Sequence, residues 1–203
     1  MTISAVILAA GRSSRFEDGN KLLVEIDGIA IVRHVCTTLA DSNVDDIVLV
    51  TSEAHGSIAK AAGAGRWRIV ENPDARDGLS TSLRAGLHSI ASDTDGVLVA
   101  LADMPGVTTS FVNMLLSAFV ENKTSIVFPV ARDGRRGHPI IWPKSLFPAL
   151  ETVTGDTGGK SVLADQKDLW RPVPCEDEGA FADIDTRADI ASFCQIRRDD
   201  AAR

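Results

Sequence analysis

Ile3-Ser4-Ala5-Val6-Ile7-Leu8-Ala9-Ala10-Gly11-Arg12-Ser13-Ser14-Arg15 opens the chain with an apolar run that ends in a glycine, hydroxyls and cations. The apolar part, residues 3–9, is short and rich in Val, Ile and Ala, as a strand buried on both faces would be. Similar runs recur at residues 47–50, 97–101 and 126–130. Between them the apolar residues take helical spacing: Val32, Val35, Cys36 and Leu39, then Leu79, Leu83, Leu87 and Ile90, then Phe111, Met114, Leu115 and Ala118. Alternating strand and helix predicts right-handed βαβ units and a three-layer, doubly wound α/β fold with a mostly parallel sheet. In such sheets ligands bind beyond the carboxyl ends of the strands, so the residues that follow each run are where function is sought.

Beyond about residue 130 the alternation weakens. Arg132-Asp133-Gly134-Arg135 reads as a turn, residues 139–142 as a short strand, and a second half of mixed strand direction is expected. Gly155-Asp156-Thr157-Gly158-Gly159 is a glycine-rich loop, and residues 184–196 form a last helix that starts with an Asp185-Thr186 cap. Residues 1–196 are expected to form one domain, and the charged tail 197–203, which lacks an apolar stripe, to fray.

Composition narrows the function classes. The 203 residues carry a formal net charge of −7 with the basic residues scattered, which opposes a nucleic-acid surface built on clustered Lys and Arg. Three cysteines without C-x-x-C spacing indicate neither a disulfide framework nor a zinc site, and Cys36 and Cys194 fall on apolar helical faces as packing residues. The amino-terminal residues lack a basic leader and no apolar stretch is long enough to span a bilayer, so a soluble cytoplasmic protein is expected.

The loop after the first run carries the chemistry. Small residues at Leu8-Ala9-Ala10-Gly11 let the backbone approach a ligand closely, and successive N–H groups can cradle phosphate oxygens. Arg15 and Lys21 add positive charge, Arg as a bidentate grip and Lys as a mobile point charge. Two familiar phosphate loops are excluded by spacing: there is no G-x-G-x-x-G, and Gly19 is followed by Asn20 where a P-loop needs lysine. The third apolar run, 97–101, leads into Leu101-Ala102-Asp103-Met104-Pro105, with Asp103 at a strand end on the same edge. A carboxylate there suits Mg²⁺, which takes one or two carboxylates plus substrate phosphates; the competing role is to cap the next helix, which Thr108 or Thr109 can fill instead.

Leu8-Ala9-Ala10-Gly11-x-Ser13-x-Arg15 with a downstream Lys21 resembles the MobA-like NTP transferase family, whose fold is that of the nucleotide-diphospho-sugar transferases. Most members carry Met-Gly after the arginine and a lysine five positions beyond it; here Phe16 and Glu17 stand there and Lys21 lies six beyond. Further segments are similar to the molybdenum cofactor cytidylyltransferase branch: Asp77-Gly78-Leu79-Ser80-Thr81-Ser82-Leu83-Arg84, Arg136-Gly137-His138-Pro139, and the Gly155 loop with Lys160. Asp185, in Asp183-Ile184-Asp185-Thr186, resembles the family's second metal-binding aspartate, although capping of the last helix competes for it.

The resemblance implies transfer of CMP from CTP to a molybdopterin-type phosphate acceptor with release of pyrophosphate. Arg15, Lys21 and Asp103 would be catalytic, and Asp103 and Asp185 would hold Mg²⁺. Leu8, Ala9, Ala10, Gly11, Ser13, Arg15, Lys21, Gly78, Ser80 and Ser82 would bind nucleotide, with capping as the other reading of the two serines. His138, Asp156 and Lys160 would meet the acceptor, against an ordinary turn or packing role. Ala10 points to CTP because the branch carries L-A-A-G in cytidylyltransferases and L-A-G-G in guanylyltransferases. A molybdenum enzyme or its chaperone is the implied partner, with neither nucleic acid nor membrane. Two other classes stay open: a non-catalytic accessory protein for a molybdenum hydroxylase, and a nicotinamide-dependent oxidoreductase of the same branch.

Overall fold

A computed structural model describes the chain except Arg12, Ser14, Arg15, Glu17, Asp18, Ala202 and Arg203, with backbone alone for Arg197, Asp199, Asp200 and Ala201. The elements begin with β1 (Ile3–Leu8), the hairpin β2 (Glu25–Ile26) and β3 (Ile29–Ala30), α1 (Ile31–Ala40) and β4 (Asp46–Thr51). There follow α2 (Ser57–Ala62), β5 (Arg68–Glu71), α3 (Leu79–Leu87), β6 (Gly96–Leu101), α4 (Thr109–Glu121) and β7 (Ile126–Val130). The last are β8 (Ile140–Pro143), α5 (Phe147–Glu151), α6 (Lys160–Asp165), β9 (Trp170–Pro174) and α7 (Arg187–Ala201).

Seven strands form one sheet in the order β5-β4-β1-β6-β8-β7-β9. The β5-β4-β1-β6 half is parallel throughout; β8 runs antiparallel to both β6 and β7, and β9 is parallel to β7. This is the mostly parallel sheet with a mixed second half that the apolar runs predict. From β1 the chain steps outward to β4 and β5, then reverses past β1 to β6. Right-handed crossovers require a change of face at that reversal. Accordingly α1 and α2 pack on one side of the sheet and α3 on the other.

Period-2 alternation builds both cores from the same strands. In β1, Ile3, Ala5 and Ile7 join the core beneath α1, α2 and α4, whereas Val6 and Leu8 join the one beneath α3, α5 and α6. Each fully buried Val, Leu or Ile contributes about 1.5–3 kcal/mol. Polar residues at those positions would forfeit that on one face or the other, which is why these strands read as unbroken apolar runs. Cys36 lies in the α1 core, where burial pushes its thiol up to about 12, and Cys194 packs against the same core: both are packing residues.

The differences lie at the edges. β5 and β9, the outermost strands, were not expected: β5 is only half-buried, and Pro172 and Pro174 interrupt β9 in the way that edge strands tolerate. The short hairpin turns at Asp27-Gly28 with φ of 55° and 77°, both in the left-handed region. The last helix continues to Ala201, beyond the boundary at residue 196 that the sequence pattern suggests.

Candidate active site

The reversal of strand order falls between β1 and β6, and their carboxyl ends open a crevice there. Asp103 stands two residues past β6. Its backbone oxygen accepts a hydrogen bond from Ile184 N at 3.0 Å, which draws the segment before α7 against the strand end. Lys21 completes the junction: its Nζ donates to Asp103 Oδ2 and to Asp185 Oδ1, each at 2.6 Å. All three side chains are largely shielded, at 14%, 20% and 25% exposure, so these are ion pairs less screened than surface ones. Burial by itself would lower the Lys21 pKa, but the Asp103 and Asp185 carboxylates outweigh it and hold the ammonium above its ordinary value. The other oxygen of Asp103, Oδ1, is buried with no hydrogen-bond partner among the described residues.

Neither aspartate is needed as a helix cap. The Thr108 hydroxyl accepts from Phe111 N to cap α4. At α7, Asp189 Oδ2 accepts from Thr186 N at 2.7 Å while the Thr186 hydroxyl accepts from Asp189 N at 3.3 Å, a reciprocal box. The hydrogen bond from Thr186 also holds the Asp189 carboxyl below its ordinary pKa.

Beside this junction lies a cleft of about 480 Å³ across the ends of β1, β4 and β5, lined by Ala10, Gly11, Asn20, Ser52, Pro73 and Arg76 among others. Ala10 and Gly11 both line it, and among the described residues nothing lies within 4 Å of where a Gly11 Cβ would be. Ser13, at φ 49°, donates its hydroxyl to Asn20 Oδ1, which also accepts from Leu22 N and caps the turn that carries Lys21. Ser13, Asn20 and the turn of Lys21 are thereby one hydrogen-bonded unit. Arg15 lies outside the described residues.

Residues 5–169 match the MobA-like NTP transferase domain. The chain belongs to the MobA-like NTP transferase family, and hence to the nucleotidyltransferases. It is 31% identical over 189 residues to nicotine blue oxidoreductase of Paenarthrobacter nicotinovorans, covering 91% of this chain and 92% of that one. To a molybdenum cofactor guanylyltransferase of Rhodopseudomonas palustris it is 34% identical over 144 residues, covering 68% and 66%. Among solved structures, Rv0371c of Mycobacterium tuberculosis superposes with a TM-score of 0.83 at 22% identity, covering 96% of this chain and 98% of that one. The fold is therefore that of the nucleotide-diphospho-sugar transferases.

In this MobA-like domain the remaining sequence-predicted residues fall into two groups. On the cleft side, Gly78 starts α3 with φ 109°, and a Cβ there would lie 2.6 Å from Gly155 C, so it is the close approach of two loops that calls for glycine. Ser80 is buried, and its hydroxyl has no partner among the described residues. Ser82, 3% exposed, is turned instead to Asn72, whose Nδ2 donates to both Ser82 and Thr81 at 2.9 Å. Asp156 Oδ1 accepts from Leu79 N at 3.1 Å, so its carboxylate occupies the start of α3.

On the other side, antiparallel pairing of β8 with β6 sets His138, just before β8, next to the carboxyl end of β6. Its Nδ1 lies 3.3 Å from Val99 O. Burial lowers its pKa, Val99 and the Asp103 charge oppose that, and the Lys160 charge adds to it. His138 thus lies within the electrostatic reach of both Asp103 and Lys160. Sequence reasoning missed Asn20, Asn72 and Arg76. All three follow or adjoin strand ends on the ligand-binding edge, and the last two escaped notice because β5 itself did.

Two carboxylates at one point, one with an unsatisfied buried oxygen, are a donor set that fits a hard divalent cation completed by water and phosphate oxygens. No cluster of three or more His, Cys, Asp or Glu capable of holding a metal occurs among the described residues. Among the same residues, no helix is long and apolar enough to cross a membrane.

Proposed function

We propose that the chain transfers CMP from CTP to a molybdopterin-type phosphate acceptor, in the cytoplasm and with Mg²⁺. The observation that carries this reading is the convergence of Asp103 and Asp185 beside the cleft lined by Ala10 and Gly11. The nucleoside would lie across β1, β4 and β5, with Leu8, Ala9, Ala10, Gly11, Ser13, Gly78 and Ser80 around it and Ser82 acting through Asn72. The triphosphate would run over the Gly11 loop toward Lys21, and Arg15 would bind it as the family resemblance implies. The acceptor would enter from the β8 side past His138 and Lys160, with Asp156 fixing the loop between. An acceptor phosphate oxygen attacks the α-phosphorus as its bond to the β-phosphate oxygen breaks, and pyrophosphate leaves. Asp103 and Asp185 would hold Mg²⁺, which supplies charge neutralisation and alignment of the phosphates. Loop N–H groups and Lys21 stabilise the charge that builds on the leaving pyrophosphate.

The test is pyrophosphate release with CTP, GTP, ATP and UTP, with Mg²⁺ and molybdopterin. Only CTP should support rapid release, and Ala10→Gly should relax the CTP over GTP preference by about 10-fold, the scale that one methyl in a pocket commands. A wild-type preference for GTP would withdraw the cytidylyl assignment. A second reading, nicotinamide-dependent reduction, is favoured by the 31% identity to a protein named as an oxidoreductase. The missing dinucleotide fingerprint opposes it, and consumption of reduced nicotinamide followed by absorbance separates the two.

A further inference from the structure

We propose that Lys21 is a built-in stand-in for the metal: it bridges Asp103 and Asp185 in the nucleotide-free protein, and yields that place only when a triphosphate gives its ammonium another anion. This inference rests on the metal-dependent reading of the site. The phosphate role and the metal role converge on one point, because the lysine nitrogen sits 2.6 Å from an oxygen of each aspartate. A divalent ion bound to both oxygens at about 2.0–2.1 Å would occupy the same gap, so ammonium and metal exclude one another.

Two features separate this from a permanent structural bridge. First, the bridge is incomplete, since Asp103 Oδ1 is buried and has no partner among the described residues while Oδ2 is bonded. A buried carboxylate oxygen left unpaired costs stability, so this bridge carries a penalty that a ligand at Oδ1 would relieve. Second, Lys21 stands at the junction between the acid pair and the cleft, for its neighbour Asn20 lines the cleft and also caps its turn. The backbone is anchored there by the Ser13 hydroxyl, which accepts from Lys21 N, while the four-carbon side chain is free to change partner. Metal entry is thereby conditional on nucleotide. By linkage, nucleotide affinity rises with metal by the same factor.

Mn²⁺ binding, followed by electron paramagnetic resonance of the free ion and by calorimetry, tests this without turnover. Nucleotide-free wild type should bind Mn²⁺ weakly, and Lys21→Met at least 10-fold more tightly. The double variant Lys21→Met/Asp103→Asn should lose that gain, which locates the ion. A non-hydrolysable CTP analogue should tighten Mn²⁺ binding to wild type by 10-fold or more and to Lys21→Met by much less. Wild-type Mn²⁺ affinity in a folded Lys21→Met protein, checked by circular dichroism, overturns the proposal. If that variant does not fold, equal Mn²⁺ affinity of wild type with and without the bound analogue overturns it. Should no nucleoside triphosphate bind at all, the nucleotidyl-transfer reading falls, while the nucleotide-free comparison of wild type with Lys21→Met still decides the role of Lys21.

Discussion

Gly78→Ala perturbs the joint that shapes the nucleotide side of the crevice. The added Cβ would lie 2.6 Å and 2.7 Å from the carbonyl carbon and oxygen of Gly155 and 3.0 Å from Asp156 Oδ1. Non-bonded carbons rest at about 3.5–4.0 Å, so the Gly155–Thr157 turn has to retreat by about 1 Å. Backbone at φ 109° and ψ 171° adds strain of about 1–3 kcal/mol for a residue with a side chain. Overpacking adds about 1–3 kcal/mol. The sum, about 2–6 kcal/mol, is a large part of an ordinary domain's 5–15 kcal/mol. If the turn gives way, part of that cost is relieved, and the bond from Leu79 N to Asp156 is lost instead. Urea unfolding monitored by circular dichroism should show the midpoint falling with the slope unchanged, and calorimetry should show weaker nucleotide binding. A midpoint equivalent to less than about 0.5 kcal/mol from wild type, the scatter of neutral surface changes, together with unaltered nucleotide affinity, would refute the reasoning.

Two other outcomes follow from the site. Asp103→Ala should abolish pyrophosphate release while the circular dichroism spectrum is retained, because the side chain lies beyond a strand end and not in either core; activity within a few-fold of wild type would remove Asp103 from the metal role. For His138, burial holds the folded pKa below the ordinary 6.5, so the unfolded state takes up the proton first. Its contribution is complete above about pH 6.5 and shrinks as pH falls below that value. Unfolding midpoints at pH 5 and pH 7 should therefore differ more in wild type than in His138→Gln, and equal differences would show that His138 is not a desolvated neutral imidazole.

The central strands were legible because burial on both faces leaves no room for polar residues: Ile3 to Leu8 and Gly96 to Leu101 had to read as apolar runs. Their carboxyl ends then pointed to Gly11 and Asp103 as members of one edge. The same reasoning fails at β5 and β9. Edge strands have one unpaired side and partial exposure, so Arg68, Pro172 and Pro174 are tolerated and erase the pattern. With β5 went the cleft wall at Pro73 and Arg76, and the buried Asn72 that holds Thr81 and Ser82.

Residue type and order by themselves determined the α/β class, the ligand-binding edge, and the list of cations and carboxylates placed on it. Which of these meet was decided by the tertiary structure. Lys21 is separated by 82 residues from Asp103 and by 164 from Asp185, and no local spacing encodes such a contact. It arises because parallel pairing of β1 with β6 brings two loop origins side by side, and because Ile184 bonds to the Asp103 carbonyl at the far end of the chain. Sequence gave these side chains their charges; the sheet set the distances, and Coulomb energy depends on both.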